Sequence, residues 1–171
     1  MPAKPANGQR PGVLIGVNSM NALDQQAQAR MEAHRVPPGF EPMRMRVGFV
    51  RLCESVYVDY QRRVLGARIL PEHLNPLGIA HGGLLATLAD TAFGTVIRLA
   101  NEAQLPAATI NLNLDYISPA HEGAWIEVHV QLHRLGKRLT NVSCSLMDGE
   151  RLVARGSATF ITHSRSLHGE A

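Results

Sequence analysis

The stretch His81-Gly-Gly-Leu-Leu-Ala-Thr-Leu-Ala-Asp90 decides how this chain is expected to fold. Its apolar side chains continue through Ile97 and fall on every side of a helix, which predicts a buried central helix over about residues 81–102. A carboxylate inside such a helix costs several kcal/mol unless it is paired, hydrogen-bonded or protonated. Asp90 therefore either caps or pairs with a neighbouring group, or serves as a nucleophile or general base in a cleft.

The segments on both sides of this helix predict β-strands. Residues 49–60 and 61–70 precede it and are rich in Val, Leu, Ile and Tyr. Four strands follow it; residues 124–135 alternate apolar and polar side chains, and Asp148-Gly149 predicts a hairpin turn. One apolar helix against an antiparallel sheet indicates an α+β fold, with the sheet wrapped around the helix.

The two ends of the chain are predicted to be accessory segments. The first 12 residues hold three prolines and predict a mobile tail, and residues 21–35 predict a short helix. We therefore divide the chain into an N-terminal extension with a short helix (residues 1–45), the α+β domain (46–163) and a C-terminal tail (164–171).

The composition suits one domain and favours an oligomer. Of 171 residues, 45% are hydrophobic and only 18% are charged, which indicates that part of the surface is hidden. The net charge is +3, from 17 Lys and Arg against 14 Asp and Glu. Because no dense basic run accompanies this charge, we expect no nucleic acid partner.

Several other classes find no support in the sequence. The apolar stretch Gly82–Ala100 carries Asp90 and Arg98, so we expect no membrane span. HExxH, Gly-x-Ser-x-Gly and phosphate-binding loops are missing, and the cysteines do not cluster, so we expect no metal and no cofactor. Two cysteines in strand-like runs and no recognisable signal peptide favour a cytoplasmic protein.

The helix start is a candidate site for a developing negative charge. Gly82 and Gly83 lie where backbone N–H groups have no partner within the helix, and glycine allows close approach of a substrate. Such a site could polarise a carbonyl. The alternative is that both glycines only allow tight packing of the helix end.

Helix geometry separates the two candidate groups. Gly82 and Asp90 are eight residues apart, about 12 Å along the helix axis, so a carbonyl held at Gly82 is out of reach of Asp90 on the same helix. Either the two residues act separately, or they come from different subunits. A two-fold dimer with antiparallel central helices would bring each Gly82 towards Asp90 of the other subunit.

The stretch Asn-Pro-Leu-Gly-Ile-Ala-His-Gly-Gly-Leu-Leu-Ala-Thr-Leu-Ala-Asp-Thr-Ala-Phe-Gly (residues 75–94) resembles the signature of hotdog-fold acyl-CoA thioesterases of the phenylacetate-degradation type. The resemblance extends over about residues 47–162. It implies hydrolysis of acyl-CoA to free acid and coenzyme A, with coenzyme A as part of the substrate rather than a cofactor. It also implies a homodimer with shared sites that pairs into a homotetramer.

The resemblance also implies roles for individual residues. Gly82 would donate its N–H to the thioester carbonyl, and Asp90 of the opposite subunit would be the nucleophile or general base. Asn75 would position the water or the carbonyl, Thr109 would help to orient the water, and His81 would support the loop or touch the thioester. Residues that would contact the substrate are Gly83, Gly136, Lys137 and Arg138.

Each of these roles has a structural alternative. Asn75 precedes a proline and is a common way to open a turn, and Thr109 could be an ordinary strand residue. His81 fits a structural role at the helix start better than a catalytic one. Lys137 and Arg138 lie in a turn, where charged side chains are usually only solvated.

Two other functions remain as alternatives. A hotdog hydratase or dehydratase resembles this chain in fold but needs an Asp/His pair, and His73 and Gly78 occupy those two positions here. A non-catalytic acyl-CoA-binding module would not need the costly carboxylate of Asp90.

Overall fold

A seven-stranded antiparallel sheet and one long helix form the fold. The computed structural model describes residues 17–44, 48–101 and 106–162, with side chains from residue 25 onward. Its helices and strands are α1 (Val17–Ala33), β1 (Glu41–Pro42), β2 (Val56–Asp59), β3 (Val64–Arg68), α2 (Gly82–Ala100), β4 (Ala107–Tyr116), β5 (Trp125–Leu135), β6 (Leu139–Asp148) and β7 (Arg151–Thr162). The strands lie in the order β1-β2-β3-β5-β6-β7-β4.

Helix α2 lies against one face of the sheet and forms the centre of the core. Leu88, Phe93 and Ile97 are fully buried, and the Phe93 ring meets Phe160 of β7 edge to face, with 6.1 Å between the ring centroids. The sheet contributes the inward-facing side chains of Ile126, Val128, Val142, Leu146 and Val153. The predicted α+β arrangement is confirmed, with helix bounds of Gly82–Ala100.

One side of α2 departs from the predicted all-round burial. Along it lie Asp90, Thr91, Gly94, Thr95 and Arg98, each only partly covered within a single chain. Small and polar residues at helical spacing form this stripe, and it faces a cavity rather than the core. The carboxylate of Asp90 is consequently half-buried, not enclosed by apolar groups.

The prediction of one continuous strand over residues 49–60 is wrong in its first half. Gly48–Leu52 forms a 3-10 helix that begins at a glycine with φ +57°, and only Val56–Asp59 is strand. Phe49 and Leu52 are exposed on this turn while Val50 packs against the core. The apolar side chains therefore follow a helical turn instead of a period of two.

The four predicted strands after α2 are confirmed as β4 to β7. Along β5 the apolar residues Ile126 and Val128 are fully buried, while His129 lies exposed on the other face. β6 and β7 join through the predicted tight turn, where Gly149 has φ +61°, a conformation that glycine adopts without strain.

The N-terminal extension packs onto the sheet through α1 and β1. The predicted short helix is present as α1, and β1 pairs with β2. Arg68 of β3 fixes the connection, because its guanidinium donates hydrogen bonds to the carbonyls of His34, Arg35 and Gly123 at 2.6–2.8 Å. Met43 belongs to the main core. The domain boundary at residue 45 stays a prediction, and the predicted mobile first 12 residues and the tail lie outside the described residues.

Helix α2 is long and apolar enough to cross a membrane by length and composition alone. Here seven of its residues are buried. Cys53 and Cys144 are buried and form no disulfide, as expected of small core side chains, and burial raises the pKa of the Cys144 thiol to about 11. Within residues 17–44, 48–101 and 106–162, no cluster of His, Cys, Asp and Glu could hold a metal ion.

Candidate active site

The start of α2 leaves one backbone N–H free. His81 is the N-cap, and its Nδ1 accepts a hydrogen bond of 2.9 Å from the N–H of Gly83. The His81 carbonyl accepts from the N–H groups of Leu84 and Leu85. Among the described residues, no atom accepts a hydrogen bond from the N–H of Gly82. The structure thus gives His81 a capping contact and leaves Gly82 as the available donor.

The free N–H belongs to a residue that lines a cavity of about 480 Å³, which we call the Gly82 pocket. Its lining includes Asn75, Ile79, Gly82, Leu85, Tyr116 and Pro119. Most of these side chains are apolar. A substrate carbonyl in this pocket would meet few polar groups besides the helix start and Asn75.

Asn75 shapes the loop before the helix. Its Oδ1 accepts hydrogen bonds from the N–H groups of Leu77 at 2.9 Å and Ile79 at 3.4 Å. The predicted turn role is therefore present. In the described part of the chain the Nδ2 amide has no acceptor, so Asn75 keeps a donor for a ligand in the Gly82 pocket.

Tyr116 braces the helix start and was not identified from the sequence. Its hydroxyl donates a hydrogen bond of 2.8 Å to the carbonyl of Gly82, and its ring is so close that a Cβ on Gly82 would lie 3.2 Å from it. Nothing in the strand pattern of β4 signals this contact, because it joins residues 34 positions apart. The close approach explains why glycine suits position 82.

Asp90 lies in a second cavity of about 380 Å³, which we call the Asp90 pocket. Thr109 of β4 donates a hydrogen bond of 2.6 Å from Oγ1 to Oδ1 of Asp90. The register of β4 shifts between Thr109 and Asn111, a bulge of the kind that re-aims a side chain beside a functional site. The structure therefore brings Thr109, to which the resemblance assigns orientation of the water, into contact with Asp90.

The two pockets are separate on a single chain. Gly82, Asn75 and Tyr116 line one, Asp90 and Thr109 line the other, and no described residue lines both. This agrees with the separation of about 12 Å between Gly82 and Asp90 along the helix axis. One protomer therefore does not unite the carbonyl-binding and carboxylate groups.

The four residues that the resemblance assigns to substrate contact line neither cavity. Gly136 turns the chain between β5 and β6, where its N–H donates to the carbonyl of Leu139 at 3.1 Å and a Cβ would come within 2.5 Å of the same oxygen. Lys137 and Arg138 are exposed in this turn and line neither pocket. Gly83 lies at the helix start with its N–H on His81.

His73 is a further structural residue of the loop before α2. Its Nδ1 accepts from the N–H of Leu70 at 3.0 Å, and its carbonyl accepts from the N–H of His81 at 2.8 Å. Burial lowers the pKa of His73 below its ordinary value, so the ring is held neutral as a hydrogen-bond acceptor near pH 7. It helps to hold His81 where it caps α2.

Comparison with known proteins places this geometry in a family. The model of the thioesterase superfamily matches residues 77–155. A candidate esterase of Pseudomonas aeruginosa is 40% identical over 128 residues, which cover 73% of this chain and 96% of that protein. Mouse acyl-coenzyme A thioesterase 13 is 28% identical over 142 residues, covering 82% of this chain and 96% of that protein.

A solved structure shows the same architecture. A phenylacetic acid degradation protein from Thermus thermophilus, solved as a mutant, superposes with a TM-score of 0.53 at 28% sequence identity. The match covers 57% of this chain and 82% of that one. Together with the observed sheet and helix, this confirms the predicted hotdog fold and the predicted resemblance.

Proposed function

This chain belongs to the thioesterase superfamily and is a thioester hydrolase, and from this premise we propose that it hydrolyses acyl-CoA thioesters at a site shared by two subunits of a homodimer. The name of the mouse relative supports the substrate class. The observation that supports a shared site is that Gly82 and Asp90 line two separate pockets of one chain.

Strand β4 is the surface through which the dimer forms. It pairs with β7 on one side, and in the described part of the chain its other side has no strand neighbour. Ile110 and Tyr116 of this strand are 56% and 55% exposed, and the adjoining Ile117 is 49% exposed. An open apolar edge of this kind favours pairing with another strand, and a second copy supplies one.

Antiparallel pairing of β4 with its own copy unites the two pockets. Near one end of the strand Thr109 bonds to Asp90, and at the other end Tyr116 bonds to Gly82. In a two-fold pair centred on Asn113, the bulge between Thr109 and Asn111 places each Thr109 opposite Tyr116 of the partner subunit. The carboxylate of one protomer thereby approaches the helix start of the other, and two equivalent sites form.

The proposed chemistry is addition of water to the thioester carbonyl. The N–H of Gly82 donates to the carbonyl oxygen and stabilises the negative charge that develops there. Asp90 of the other subunit either accepts a proton from the attacking water or attacks the carbonyl directly. If Asp90 is the base, the water oxygen bonds to the carbonyl carbon, the carbon–sulfur bond breaks, and the proton that Asp90 took from the water passes to the sulfur, so coenzyme A leaves as the thiol. If Asp90 is the nucleophile, the carbon–sulfur bond breaks as an acyl-enzyme anhydride forms, and water then hydrolyses this anhydride to the free acid and supplies the proton for the thiol.

Neighbouring groups orient the reactants in this arrangement. Thr109 holds one oxygen of Asp90, which leaves the other oxygen for the reaction. In this proposal the Nδ2 amide of Asn75, which lines the Gly82 pocket, donates to the carbonyl or the water. His81 acts through its cap on Gly83. Lys137 and Arg138 would meet the phosphates of coenzyme A.

The proposal also includes the assembly of two such dimers into a tetramer. It places the protein in the cytoplasm.

Acyl-CoA turnover is the direct test of this function. With purified protein and a panel of saturated, unsaturated and aryl acyl-CoA substrates, we expect catalytic release of free thiol, measured with a thiol reagent. Binding of acyl-CoA without release would instead indicate a binding module. Loss of the enoyl absorbance with no thiol release would indicate the hydratase alternative.

Replacing Thr109 tests its contact with Asp90. We expect Thr109→Val to lower kcat about tenfold, because a hydrogen bond to a charged group is lost. Thr109→Ser keeps the hydroxyl and should retain most of the activity. A loss in Thr109→Ser that equals or exceeds the loss in Thr109→Val, measured by initial rates on the same acyl-CoA, would contradict the proposed role of the hydrogen bond, because Thr109→Ser keeps the hydroxyl.

A further inference from the structure

We propose that Arg98 selects acyl groups that end in a carboxylate, an inference that rests on the proposed thioester hydrolysis at Asp90. Arg98 lies in the last turn of α2, eight residues after Asp90, and lines the same pocket. The pocket is otherwise largely apolar, with Met43, Val50 and Phe160 among its lining residues. A cation there serves no purpose for a purely alkyl chain.

Arg98 continues the stripe of α2 that faces this cavity. Thr91, Gly94 and Thr95 precede it by seven, four and three residues, so all four side chains share one helix face. The hydroxyl of Thr95 already donates to the carbonyl of Thr91 at 2.7 Å, and a Cβ on Gly94 would meet nothing within 4 Å. An acyl chain therefore has open space along this face between Asp90 and Arg98.

The charge of Arg98 is not neutralised by the described residues. The ion pairs within residues 17–44, 48–101 and 106–162 use other arginines and His129, and none includes Arg98. Arg98 is nevertheless half-buried. A substrate carboxylate would supply a partner for this charge, and a guanidinium can bind it through two parallel hydrogen bonds.

The spacing sets the length of the acyl group. Asp90 and Arg98 are about 12 Å apart along the helix axis, and the arginine side chain reaches back over part of that distance. An acyl chain of about four to eight carbon atoms therefore fits between the thioester and the guanidinium. The expected substrate class is the CoA monothioester of a medium-length dicarboxylic acid.

Matched substrate pairs test this selectivity. Hexanoyl-CoA and adipoyl-CoA have the same carbon count, as do octanoyl-CoA and suberoyl-CoA, and each pair differs only in a terminal methyl or carboxylate group. We expect wild-type protein to prefer the carboxylate member of at least one pair in kcat/KM. In Arg98→Met this preference should fall at least tenfold, mainly through the KM of the dicarboxylic substrate, and Arg98→Lys should retain part of it.

A control separates selectivity from helix stabilisation. Arg98 lies near the helix C-terminus, where a cation also stabilises the helix dipole, but that effect changes both members of a pair alike and leaves their ratio intact. Arg155→Met removes the same charge from an exposed site on β7 and should leave the ratio unchanged. If both substrates are hydrolysed and the preference between them is the same in wild type and Arg98→Met, the inference about Arg98 is wrong while the proposed thioester hydrolysis stands. No turnover of any acyl-CoA overturns it together with the proposed function.

Discussion

Asp90→Asn is expected to lower kcat about a thousandfold while the protein stays folded. The substitution keeps the size of the side chain and an oxygen that can accept the hydrogen bond from Thr109. It removes the charge and the basicity that either proposed role requires, and loss of a general base or nucleophile costs about 10²–10⁴ in rate or more. A thousandfold loss corresponds to about 4 kcal/mol of transition-state stabilisation.

The measurement is kcat from thiol release, with the folded state followed by thermal unfolding. Asp148→Asn is the matched control, because it removes a carboxylate from the β6–β7 turn, where Asp148 pairs with Arg151. That variant should keep its activity. Near-normal turnover of Asp90→Asn with an unchanged unfolding temperature would exclude the proposed chemistry.

Much of the fold could be predicted because its strongest patterns are local. The helix α2 carries apolar residues through most of its length, and β5 and β6 alternate with a period of two, so each of these elements carries its own signal. The 3-10 helix Gly48–Leu52 is predicted as part of a strand because valine, leucine and phenylalanine suit strands as well as turns. The turn begins at Gly48, which has a positive φ that composition does not encode.

The candidate site was only partly predictable for a related reason. Gly82 and Asp90 lie on one helix, so their separation of about 12 Å follows from helix geometry alone. The contact of Tyr116 with Gly82 and that of Thr109 with Asp90 join distant parts of the chain. Tyr116 was missed altogether, and Thr109 was found only through the family resemblance. The partial exposure of Asp90 depends on packing around the small residues Thr91 and Gly94.

A mixture of two inactive variants is expected to regain about a quarter of wild-type activity, because each intact site takes one group from each subunit. The first variant is Asp90→Asn. The second is Gly82→Pro, which deletes the N–H that we propose holds the carbonyl oxygen. Proline is favoured at the first helical position, and His81 has φ −63° and ψ 132°, which a following proline allows. Alone, Gly82→Pro should lower kcat about 10²–10³-fold, as loss of an oxyanion donor does.

Gly82→Ala is the control for the proline, since it keeps the N–H and meets the same Tyr116 ring at 3.2 Å; it should retain far more activity. After subunit exchange by mild denaturation and refolding, random pairing makes about half of the dimers mixed, and in each mixed dimer one of two sites combines an intact Asp90 with an intact Gly82 N–H. If the Asp90 carboxylate and the Gly82 N–H instead act within one protomer, every site in the mixture is defective and the mixture stays inactive. The reciprocal mixture combines wild type with the Gly82→Pro/Asp90→Asn double variant. In this mixture, shared sites predict the lower activity of the two arrangements. Shared sites predict about a quarter of wild-type activity per subunit because mixed dimers are dead, whereas sites within one protomer predict about a half.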